Sequence, residues 1–272
     1  MASSELVRLS KRKENRKAVE KAFENSNRTY LIHYSCESFY DDKSGTSRRV
    51  TSIAVRNLSS AQTHSWSIHK SAELHNKINT INEDIDTLEY DMLSSYFDFL
   101  RKNADFTYIH WNMRDEAYGF QALEHRFRVL GGEPFILQDD KKLDLARVLV
   151  ALFSRAYCSH EFKSGKNGRL MVLTEMNGIA DLDALSGAEE AEAFENGEYL
   201  KLHRSTLRKV DIFANIIDRV HDNTLKTDAN WFTRNGVHPI VLIELIKVHP
   251  AYSLIGIIGT IITFYTRLFG LF

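Results

Sequence analysis

The chain has 272 residues, of which 43% are hydrophobic and 26% charged, enough for one large domain with a sizeable core. Its 35 Lys and Arg against 36 Asp and Glu leave a net charge of -1, so no global positive field draws in nucleic acid and any polyanion contact must be local. Three prolines and 13 glycines exclude collagen-like and linker-dominated chains, while two cysteines, Cys36 and Cys158, exclude a disulfide framework or a zinc cage and suit a reducing compartment. The charged stretch 1–17 has no apolar region of the secretory type, so no cleaved signal is expected there.

In chain order, residues 3–24 read as a charged, mostly solvated helix. Its basic cluster Lys11, Arg12, Lys13, Arg16 and Lys17 is interrupted by Glu14 and Glu20. Phosphate or anionic lipid would suit that cluster, as would plain solvent. Three β-branched and aromatic runs follow at 30–37, 50–58 and 64–69, with short polar separators, and predict a three-stranded antiparallel meander. Ile78, Ile81, Ile85 and Leu88 recur at spacings of three and four, which predicts a long helix continuing to Leu100. A strand at 106–112, a helix from about Asp115 to Leu130 stopped by Gly131-Gly132, a short strand at 135–137 and a helix after Lys142 come next. Residues 170–221 read as helical, with a wet acidic face formed by Glu189, Glu190, Glu192, Glu195 and Glu198. The order is that of an α/β fold, a mixed β-sheet flanked by helices.

Residues 251–272 differ from the rest, with Arg267 as their single charge. As a helix these residues would span roughly 33 Å, about the hydrocarbon thickness of a bilayer. They carry no polar face, so the expectation is a C-terminal transmembrane helix, the alternative being an enclosed core helix. Basic Lys226, Arg234 and Lys247 precede it, which predicts a membrane anchor with the soluble part cytoplasmic. The expected organisation is a charged helix over 1–27, a domain over 28–235 and a membrane-anchoring segment over 236–272. Residues 234–248 suit either a surface hinge helix or the core.

No glycine-rich nucleotide loop, H-E-x-x-H or G-x-S-x-G is present. What remains is carboxylates at element ends. Glu37 closes the first strand, Asp115 opens the helix after the fourth, and Asp211 lies on a helix expected to face the sheet. Three such carboxylates meeting at one point would repel, and Mg²⁺ or Mn²⁺ would relieve this while activating water at a phosphoryl group. Each also has an ordinary use. Glu37 suits a solvated loop, Asp115 a helix cap, and Asp211 an ion pair with Arg208 or Lys209.

Tyr-Leu-Ile-His-Tyr-Ser-Cys-Glu (30–37), His-Trp-Asn-Met-Arg-Asp (110–115) and the helix carrying Asp211 resemble, in order, the motifs of the DEDD superfamily of 3′–5′ exonucleases. The resemblance covers about residues 28–222 and rests mainly on element order. It implies a ribonuclease H-like fold, with Glu37, Asp115 and Asp211 as catalytic metal ligands. His203 or Tyr199 would orient the attacking water, and His110, Asn112, Lys201, Arg204, Arg208 and Lys209 would contact single-stranded DNA or RNA. The sequence departs from the family pattern at Ser35, where the first Asp of the motif is expected, at Trp111, inserted before Asn112, and at Leu207, where a Tyr is expected. A neutral hydroxyl is a poor ligand for a hard cation. Two readings follow: a membrane-anchored, metal-dependent 3′–5′ exonuclease, and a non-catalytic binding or homo-oligomerisation domain of the same fold attached to a transmembrane effector helix.

Overall fold

The computed structural model describes residues 4–37, 47–114, 117–159, 167–235 and 258–265. Helix α1 (Ser4–Glu24) leads into β1 (Thr29–Cys36), the middle strand of a mixed five-stranded sheet. β2 (Val50–Asn57) pairs antiparallel with β1, and β3 (Thr63–Ser67) antiparallel with β2, which forms the expected meander. On its other side β1 pairs in parallel with β4 (Thr107–His110), and β4 in parallel with β5 (Lys142–Asp144), so the order is β3-β2-β1-β4-β5. Every residue of β1 is buried, as expected for a strand covered on both faces.

The period of two divides β1 between two cores. Tyr30, Ile32, Tyr34 and Cys36 enter one core with α3 (Ile81–Lys102) and α4 (Phe120–Val129). Leu31 enters the other, with α1, α5 (Leu145–Phe153) and most of α8 (Tyr199–His221). The pattern of α5 shows why it docks: Leu145, Val148, Leu149, Leu152 and Phe153 fall on one stripe and all are buried. Burying each such side chain is worth about 1.5–3 kcal/mol before conformational entropy is charged against it. Short helices α2 (Ile68–Leu74), α6 (Arg169–Met176), α7 (Gly187–Glu195) and α9 (Trp231–Asn235) connect and flank these elements.

Several expectations change. The strand predicted at 135–137 is not one; the last strand is Lys142–Asp144, extended because Leu143 pairs with Ile109. The strand predicted to His69 ends at Ser67, whose hydroxyl accepts from Lys70 N and starts α2. The helix expected from Asp115 begins at Phe120. Helix α1 is no free solvated rod: Val19 and Ala22 are buried, and the Arg12 guanidinium donates to the carbonyls of Leu152, Thr233 and Arg234.

Among the described residues no helix is long and apolar enough to cross a membrane. Residues 258–265 are helical with exposed side chains, Ile258, Ile261, Ile262 and Phe264 among them. The remainder of the expected span, and residues 236–248, lie outside the described residues.

Candidate functional site

The carboxyl end of β1 is where the sequence places its candidate chemistry. Leu31, His33 and Ser35 share the face of β1 on which α8 lies. Ser35 Oγ donates to Glu190 Oε1 at 3.0 Å and lies 2.8 Å from Thr206 Oγ1, which is 2.6 Å from Ser52 Oγ on β2. Glu190 comes from α7 and also accepts from Ser205 Oγ at 2.9 Å and pairs with Lys209 Nζ at 2.6 Å. The two charged side chains are 14% and 7% exposed. Pairing with each other and with the hydroxyls around them offsets the cost of taking both groups this far from water. A cation therefore already stands beside Ser35, and it belongs to the protein.

His33, one turn of the pleat away, lies 3.1 Å through Nδ1 from the Tyr118 hydroxyl, which donates to the Tyr34 carbonyl. Its Nε2 has no hydrogen-bond partner among the described residues. Burial, reinforced by the nearby Lys209 charge, holds its pKa well below the ordinary histidine value, so the ring is neutral. The same burial pushes the Cys36 thiol far up, which makes it inert at neutral pH.

Two of the three predicted metal ligands, Asp211 and Glu37, have partners of their own. Asp211 pairs with Arg56 Nη1 on β2 at 2.7 Å and lies 3.8 Å from Arg208. Arg56 stands opposite Leu31 in the sheet register, whereas Glu37 lies just past the other end of β1 and meets the backbone of Arg49. The two levels are six residues apart, about 20 Å of extended strand. Each carboxylate is thus engaged at its own end of β1, Asp211 with a cation and Glu37 with the backbone. Asp115 lies outside the described residues. Among the described residues no group of three His, Cys, Asp or Glu side chains is arranged to hold a metal ion.

The other expected residues have separate duties. His203 lies between two strand hydroxyls, Ser67 Oγ at 3.2 Å and Ser65 Oγ at 3.0 Å, and burial followed by the charge of Lys70 lowers its pKa to about 4. Tyr199 donates to Asn82, Lys201 pairs with Glu198, and Arg204 lines a hollow with Glu198 and Asp183. Lys209, read as a phosphate contact, is the internal partner of Glu190, and Arg208 is the secondary partner of Asp211.

His110 and Asn112 do meet at one place, the carboxyl ends of β4 and β5. Asp144 caps α5: its Oδ1 accepts from Ala146 N at 2.9 Å and from Asn112 N at 3.3 Å. Its Oδ2 pairs with Arg114 Nε at 2.9 Å. Asn112 holds a left-handed backbone (φ 57°), a conformation asparagine tolerates better than most residues. His110 Nδ1 accepts from Met113 N at 3.1 Å, and burial, partly offset by Asp144, takes its pKa to about 4. His110, Arg114 and Asp144 line a hollow of about 430 Å³ with Lys142 and Arg147.

Two positions have partners that the sequence reading did not assign to them. Glu190 sat in an acidic run that looked wholly solvated, and Lys209 in a basic one. The available signal was phase: Thr206, Lys209, Val210 and Phe213 share one stripe of α8, all buried. Comparison with family models, curated proteins and solved structures found no match.

Proposed function

We propose that this chain is a binding domain of ribonuclease H-like architecture that does not hydrolyse phosphodiesters. The strand order β3-β2-β1-β4-β5, with β1 central and β2 antiparallel to both of its neighbours, supports the ribonuclease H-like reading. The observation that carries the loss of hydrolysis is the Lys209–Glu190 pair beside Ser35. An ammonium group there supplies charge balance but cannot polarise a phosphoryl oxygen as Mg²⁺ does, nor lower the pKa of a bound water. Asp211, neutralised by Arg56, adds nothing to that point.

The test is a nuclease assay with Mn²⁺ on labelled single-stranded DNA and RNA, run beside Asp115→Ala. The expected result is no metal-dependent cleavage by either protein. Cleavage that the substitution abolishes would restore the exonuclease reading.

The same proposal places the domain at a membrane, on the cytoplasmic side, held by residues 251–272. Their length, single charge and lack of a polar face support it. Truncation after Val237 should move the protein from the membrane pellet to the supernatant, and a full-length chain soluble without detergent would remove the anchor.

A further inference from the structure

Above the hollow formed by His110 and Asp144 the surface opens into a larger cleft of about 1310 Å³. Asn15, Arg114 and Arg147 line both, so the two are continuous from the carboxyl ends of β4 and β5 outward. One wall is α1, the other α5 and the chain that follows it. Among the described residues the larger cleft is lined by the cations Arg8, Lys11, Arg114, Arg147, Arg155 and Arg169, with Glu14 as its one acidic lining residue. This concentration occurs on a chain whose net charge is -1. Asp144 offsets Arg114 at 2.9 Å and lies 4.0 Å from Arg147. The guanidinium of Arg169 lies over the Tyr157 ring, 5.6 Å from its centroid. Lys11 and Arg155 are exposed on opposite walls.

We infer that this cleft binds a ligand presenting several successive phosphates. Like charges drawn together in a concavity repel, and an anion that bridges the two walls relieves that repulsion over its whole length. A volume above the usual 300–1,000 Å³ of small-molecule pockets fits an extended chain of phosphates better than a single one. Trp111 lines the same cleft, half-buried against Phe213. The inference rests on the reading of the domain as a binding module, and it locates the ligand away from Lys209 and Glu190.

The test uses the full-length chain in detergent and two probes, a fluorescein-labelled twelve-residue oligothymidylate and inorganic tripolyphosphate as competitor. Binding is read by polarisation in EDTA from about 50 to 200 mM salt. Each phosphate contact to a single strand contributes about 0.7 to the slope of log affinity against log salt. The double variant Lys11→Glu/Arg155→Glu should bind at least about tenfold more weakly at low salt and lose about 1.4 or more from that slope. Lys102→Glu, the same charge change at an exposed site ending α3, should bind like the parent. Full displacement by tripolyphosphate assigns recognition to the phosphates alone; partial displacement assigns part of it to the longer backbone. The inference is overturned if the parent binds neither probe, if the double variant stays within twofold of the parent, or if Lys102→Glu weakens binding equally. A gel of the same oligonucleotide after incubation with Mn²⁺ is read separately, so cleavage would sink the non-hydrolytic reading and leave the cleft standing.

Discussion

Lys209 Nζ stands 2.6 Å from Glu190 Oε1, and the same carboxylate oxygen takes the hydroxyls of Ser35 and Ser205. One oxygen thus joins α7, α8 and the central strand. Removing one member of such a pair strands a buried charge, which costs about 3–5 kcal/mol. Lys209→Ala should lower the unfolding free energy by about that amount in urea titrations. The double variant Lys209→Met/Glu190→Gln should recover most of the loss. A Lys209→Ala cost below about 1 kcal/mol would show that water reaches the pair and screens it.

Asp211 should behave in the opposite way. Its side chain is 38% exposed and that of Arg56 is 23% exposed, so solvent competes for both. Asp211→Ala is expected to cost about 1 kcal/mol or less. Isothermal titration with Mn²⁺ should give the same trace for this variant as for the parent, whereas a metal ligand would lose its binding heat.

Acid should destabilise the fold through its buried histidines. His110 and His203 titrate at about 4 when folded and near the ordinary 6.5 when unfolded. Between those values the unfolded chain binds more protons, so stability falls as pH drops from about 6.5 toward about 4 and is flat above. His33, also lowered, adds to the same trend. His110→Asn keeps an acceptor for Met113 N and removes one titration. Urea midpoints at pH 7, 5.5 and 4.5 should decline less steeply for it than for the parent; parallel declines would put the proton uptake elsewhere.

A second buried pair supports the other core. Glu89, fully buried on α3, accepts from Arg126 Nε at 2.9 Å and Nη2 at 2.6 Å and from Val50 N at 2.7 Å. Burial raises its pKa while Arg126 opposes the rise. Arg126→Ala should therefore cost about 3–5 kcal/mol, and adding Glu89→Gln should return part of it. If Glu89→Gln makes the single variant worse, the carboxylate has found another partner.

Most of the architecture was legible because it rests on periodicity. The β-branched and aromatic run at 30–37 names a strand, and the three-four spacing from Ile81 to Leu100 names a buried helix face. Lys142–Asp144 was illegible because three residues are too few to show alternation, and their extension comes from pairing with β4. The site was less legible still. Asp211 and Lys209 are two positions apart on one helix; phase puts the lysine on the buried stripe, but no spacing rule names Glu190 as its partner or Arg56 as the aspartate's. That choice depends on what stands opposite, and α7 approaches only through the tertiary fold. The cap at Asp144, by contrast, was readable from its place before an apolar helix.

The brevity of β5 bears on how copies of this protein can associate. A sheet grows by adding backbone to an open edge, and here one edge offers three residues beginning with a lysine. The opposite border, Thr63–Ser67, is polar at four of its five positions. Neither makes a good template for a neighbouring strand. Among the described residues, the sheet edges therefore favour self-assembly through helices over strand addition.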